Sequence, residues 1–137
     1  DLLKWQLLRC ARRVVLAGAA TISGLALLFQ PAGAEGLTPR DAGARYGQAL
    51  GALEICYGSK LTSKAEELST AYSGDDLVAF KAQAAKVLDA WMKVKSCTNQ
   101  QDPNQCKIIM DKSCLGAEAE IGPAGTALAG LVDFVKH

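Results

Sequence analysis

Histidine is almost absent: the chain of 137 residues has one, His137, at its last position. That removes the usual general base for a serine or cysteine nucleophile, so neither a Ser-His-Asp set nor a Cys-His pair is expected. Closely spaced cysteines are missing too. After Cys10, the cysteines at 56, 97, 106 and 114 are separated by 40, 8 and 7 intervening residues. Zinc centres draw their thiolates from pairs two to four residues apart, and dithiol redox sites and haem attachment need C-x-x-C, so all three are disfavoured. No glycine-rich phosphate loop occurs. Asp75-Asp76 begin no EF-hand spacing and read instead as carboxylates at a helix start. No catalytic, cofactor-binding or metal-ligating residue is therefore assigned, and no enzyme is expected. A carboxylate pair assembled by the fold is the one catalytic arrangement left open.

Basic stripes are lacking as well. Residues 35–137 carry eleven Lys/Arg scattered among thirteen Asp/Glu, which disfavours nucleic acid as a partner. The positive charge gathers instead in residues 1–34, where Lys4, Arg9, Arg12 and Arg13 face Asp1 alone. "RCARR" precedes the uncharged run "VVLAGAATISGLALLF" from Val14 to Phe29, and "QPAGA" ends in Ala32-Gly33-Ala34 before Glu35. This is the layout of a secretory signal peptide. Sixteen residues rise about 24 Å as a helix, short of the roughly 30 Å of a hydrocarbon core, so a retained anchor is the second reading. Cys10 lies ahead of the apolar run and is not a lipid-attachment cysteine. The expected division is a signal peptide at 1–34, with allowance for an N-terminal extension because the chain opens on Asp1, and a domain at 35–137.

Sustained alternation of apolar and polar residues is also missing, and helical spacing dominates. Thr38, Pro39 and Asp41 open a first helix, whose Tyr46, Ala49, Leu50, Leu53, Cys56 and Tyr57 share a face until Gly58. A shorter second helix is expected from about Lys60 to Tyr72. "SGDD" at Ser73–Asp76 starts a third, with Leu77, Phe80, Ala84, Val87, Leu88, Trp91 and Val94 on one side, reaching Ser96 or Cys97. Asp102 and Pro103 start a fourth, which carries Cys106, Ile109, Met110, Cys114, Ala117 and Ile121 inward before Gly122-Pro123. A closing segment from Ala124 to Lys136 repeats the helical spacing through Ala127, Leu128, Leu131 and Val135. The fold class is all-α, a small bundle of four to five helices behind the signal peptide.

An even set of thiols in a small exported domain implies staples. Cys106 and Cys114 on one helix are about 12 Å apart along its axis, beyond the reach of about 7 Å between disulfide Cα atoms. Cys97 ends one helix and Cys106 begins the next, so Cys97–Cys106 with Cys56–Cys114 is the expected pairing. The alternative, Cys56–Cys106 with Cys97–Cys114, strains the hairpin register.

Gly43, Gly47 and Gly51 recur every four residues, at a cost of roughly 1 kcal/mol each relative to alanine in a helix interior. The favoured cause is the close approach of another helix; space for a small apolar ligand beside Tyr46 and Tyr57 is the rival. Glu66, Glu67, Glu118 and Glu120 read as solvated. The expected role is a periplasmic or secreted, non-catalytic binding module for a protein or peptide of the cell envelope, with no membrane span in the mature chain. The alternatives are a membrane-tethered accessory subunit with an uncleaved N-terminal helix, or a carrier of a small apolar ligand.

Overall fold

The computed structural model describes residues 36–97 and 102–135, all within the unit Ala34–His137. The expected signal peptide and Cys10 lie outside them. Among the described residues four helices carry the fold: α1 (Pro39–Ile55), α2 (Ser63–Ser69), α3 (Gly74–Ser96) and α4 (Pro103–Ile121).

Local chemistry sets most of their boundaries. At the start of α1, Thr38 is the cap and its Oγ1 accepts from the Asp41 amide at 3.1 Å, while Pro39 fills the first turn, where an amide would lack a partner. α4 begins the same way, with the Asp102 carboxylate accepting from the Asn104 amide at 2.9 Å. α3 has Asp75 and Asp76 in its first turn and Lys93 and Lys95 in its last, each charge at the dipole end that favours it. It ends on Cys97, whose φ of 54° is left-handed, a conformation helices use to terminate.

α1 packs on α3 through its smallest residues. A methyl group added at Gly43 or Gly47 would overlap the backbone of Phe80 or Ala84, and one at Gly51 would overlap the Trp91 ring. The glycine spacing is thus the imprint of α3 lying against α1. It also decides which face of α1 is covered: Ala42, Gly43, Gly47, Ala49, Gly51 and Ala52 are buried, whereas Leu53, read from its spacing as inward, is 36% exposed; Tyr57, also read as inward, lies past the end of α1 and is 91% exposed. The contact runs along the glycine stripe, and the bulky residues flank it. On the α3 side Phe80 is buried between Tyr46 and Tyr72, ring centroids 5.4 and 5.2 Å away.

Two elements differ from the sequence expectation. The second helix is shorter than Lys60–Tyr72. Lys60–Leu61 form a strand, β1, and Thr62 is the cap of α2, its Oγ1 accepting from the Ala65 amide at 3.3 Å. At the other end the Ser69 and Thr70 hydroxyls donate to the Glu66 and Glu67 carbonyls, a local alternative to continuing the helix.

The closing segment is no helix either. Residues 122–131 are a series of turns that fold back over the end of α4, and Val132–Asp133 form β2. The last carbonyls of a helix have no partner within it. Here the Thr126 amide donates to Ala119, the Ala127 and Leu128 amides to Glu120, and the Leu131 amide to Ile121. Those bonds, with Gly122-Pro123 breaking the helix, outweigh the helical spacing of the apolar residues. β2 pairs antiparallel with β1, Lys60 opposite Asp133 and Leu61 opposite Val132. Thr62 Oγ1 donates to the Gly130 carbonyl, and Lys64 Nζ to that of Ala129.

The core lies where these pieces meet. Phe80, Ile121, Leu131 and Val132 are its largest fully buried side chains, and much of the remainder is alanine. The domain is a mostly helical bundle closed by a C-terminal strap and a two-stranded ribbon.

Candidate interaction site

Two disulfides fasten α4 to the rest of the domain. Cys56, just past α1, bonds Cys114, with Cα atoms 5.7 Å apart. Cys97, the cap of α3, bonds Cys106 in the second turn of α4, Cα to Cα 5.9 Å. This is the favoured one of the two pairings that the rise of α4 leaves open. Such bonds persist in oxidising surroundings and are rare where glutathione keeps thiols reduced.

A third tie is ionic. The Arg45 guanidinium donates to Glu120 Oε2 at 2.8 Å and the Gln48 amide to the same oxygen at 2.7 Å. Glu120, read as solvated, is thus engaged by two α1 side chains one turn apart. A lone glutamate near a helix end carries no sequence mark of a partner 75 residues away. Glu66, Glu67 and Glu118 are exposed.

With α4 held at both cysteines, an open cleft of about 730 Å³ remains between one face of α4, the end of α1 and the residues after β2. Tyr57, Met110, Leu115, Phe134 and Val135 supply its apolar surface, and Cys56, Cys106 and Cys114 lie along it. Tyr57, Leu115 and Val135 are 91%, 66% and 48% exposed. The charges at the cleft are Lys107, Asp111 and Glu118, the first two paired on α4 at 2.7 Å.

The cleft was not legible in the sequence. Tyr57 and Val135 carry inward-facing spacing, and Leu115 stands beside the Cys106–Met110–Cys114 stripe without belonging to it. The space imagined for a ligand beside the glycines, by contrast, is occupied by α3. Among the described residues, no helix is long and apolar enough to cross a membrane, and no group of three or more His, Cys, Asp or Glu is placed to hold a metal ion. Comparisons with protein-family models, with curated proteins and with solved structures gave no match.

Proposed function

We propose that this chain acts as a non-catalytic binding module in the periplasm or outside the cell, and that the cleft along α4 receives a protein or peptide partner of the cell envelope. One observation carries the reading. Three large, exposed apolar side chains line a single open cleft, and two of its walls, α4 and the end of α1, are cross-linked by Cys56–Cys114. Protein interfaces combine an aromatic and aliphatic centre with a polar rim, and walls held in place lose little freedom on binding. Here Tyr57, Leu115 and Val135 are the centre, and Lys107, Asp111 and Glu118 the rim.

The experiment is a pull-down from the native envelope fraction with the oxidised protein and with Leu115→Glu as bait. A partner retained by the first and lost with the second, at unchanged circular dichroism, supports the reading; equal capture by both removes the cleft from it. Intact mass of the exported protein tests the leader: a chain starting at Glu35 fits a free module, and a retained apolar run from Val14 to Phe29 fits the tethered subunit.

A second reading has the cleft volume in its favour, since small-molecule sites occupy about 300–1,000 Å³. A small apolar ligand would then lie against Met110 and Phe134. Native mass spectrometry of freshly purified protein decides this reading: an added mass that disappears on organic extraction supports it, and a bare chain mass opposes it.

A further inference from the structure

The cleft face of α4 is built to match itself. Lys107 and Glu118 are eleven residues apart, which on a helix is three turns and about 16 Å of rise, with about 20° between their directions. They therefore stand on one line along the helix, positive toward its start and negative toward its end. Between them Met110 and Leu115 face the cleft. At its edge stands Tyr57, the most exposed large hydrophobic side chain among the described residues.

We propose that the occupant of this cleft is a second copy of the chain, packed about a two-fold axis with the two α4 helices antiparallel. The inference rests on reading the cleft as a docking surface, and it names the partner. With the axis at the level between Lys112 and Ser113, Lys107 of one copy meets Glu118 of the other, while Met110 and Leu115, about 140° apart on the helix, flank that line on opposite sides, each facing its own counterpart. The charge pair occurs twice, as a two-fold interface requires. A parallel arrangement would instead set Lys107 against Lys107 and Glu118 against Glu118, so the charges select the orientation. Lys107 keeps its bond to Asp111 on its own helix, and that places a cation rather than a bare carboxylate beside the axis. Tyr57 projects from each copy next to an open apolar hollow, a knob beside a hole, and aromatic anchors of this kind dominate interface energetics.

A contact along about three turns of one helix with a few flanking side chains belongs to the small interface class, under roughly 1,200 Å² in total. The pairing is accordingly weak and concentration-dependent.

Sedimentation equilibrium of the oxidised protein from about 10 μM to about 1 mM spans the affinities of such contacts. A monomer–dimer equilibrium is expected within that range. Lys107→Glu places two glutamates opposite each other at both ends of the seam, and Glu118→Lys places two lysines there, so each variant alone associates at least tenfold more weakly. Mixed in equal amounts, the two variants restore the opposite-sign pairs between copies, and their heterodimer is tighter than either variant's homodimer, short of wild type by the Lys107–Asp111 pair that Lys107→Glu removes. The double variant K107E/E118K regains the homodimer for the same reason. Tyr57→Ala, at a position 91% exposed, weakens the dimer without altering the melting temperature of the monomer. A protein that is monomeric throughout overturns the pairing, as does a dimer indifferent to both charge reversals. If the Leu115→Glu bait still loses an envelope partner in that event, the docking role of the cleft stands and only the self-pairing falls.

Discussion

Gly47 of α1 faces the backbone of Ala84 on α3 with no room between them for a methyl group. The opposing atoms are main chain and cannot rotate away, so a side chain here must push two helices apart. Overpacking costs about 1–3 kcal/mol, whereas alanine in place of glycine in a helix interior returns about 1 kcal/mol. Gly47→Ala is expected to lose about 1–2 kcal/mol by urea denaturation. Gly116 on α4 has nothing near the position a methyl would take, and there the same exchange should gain up to about 1 kcal/mol. Equal effects at the two sites would contradict the close packing of α1 on α3.

The two disulfides close loops of very different length, with sequence separations of 58 and 9. Loop-closure entropy assigns about 4 kcal/mol to the longer and about 2.7 to the shorter, with native strain and residual unfolded structure reducing both. Replacing Cys56 and Cys114 together by alanine should lower the melting temperature more than replacing Cys97 and Cys106. Cys56 is also buried, so its loss removes packing in addition. Dithiothreitol should reproduce the sum of the two effects, and a melt unchanged on reduction would refute a stabilising role.

Glu120 accepts from both Arg45 and Gln48, and the ion pair is partly exposed, its side chains at 34% and 44% accessibility. Pairs in that setting contribute modestly and are screened by salt. Glu120→Gln should cost about 0.5–1 kcal/mol at low ionic strength, and the difference should shrink in about 1 M salt. A loss independent of salt would point to packing as the cause.

Burial, and after it the charge of Asp76, raises the Tyr72 hydroxyl above its ordinary pKa of 10.0. Both favour the neutral phenol in the folded state. Below pH 10.0 the group is neutral in folded and unfolded chains alike, and its contribution is fully present. Above that pH the unfolded chain releases the proton first, so stability falls as pH rises toward the folded value. Tyr72→Phe should remove this part of the alkaline loss, as followed by chemical denaturation across that range. Phenolate absorbance should show one tyrosine titrating later than a model tyrosine, and Asp76→Asn should bring it earlier.

What the sequence made legible was decided locally. Thr38-Pro39 and Asp102-Pro103 mark helix starts because their chemistry acts within one turn. Helix rise removed one of the three cysteine pairings, since Cys106 and Cys114 cannot meet on a helix, and the short turn between Cys97 and Cys106 favoured one of the two that remained. The apolar stripe of α3 predicted its buried side because α3 lies against a single neighbour for most of its length. Contacts distant in sequence were not legible. β1 exists because residues seventy positions away return to pair with it, and helical spacing in the closing segment was overridden by the bare carbonyls of α4. Tyr57 departs from its helical spacing because α1 ends at Ile55 and Cys56 is already extended. Glu118, too, reads as a solvated charge until the cleft that it lines is seen.

Val132 is fully buried, and its strand completes the ribbon begun at Lys60. A polypeptide delivered start-first, from a ribosome or through a translocation pore, therefore has most of its length in the open before this residue arrives to shut the interior. Cys56 must wait for Cys114, which emerges after Cys106, whereas Cys97 and Cys106 can find each other as soon as their short hairpin emerges. The order of emergence thus favours the small ring first and the large one last, so an oxidant acting too early on Cys56 would meet Cys97 before its proper mate.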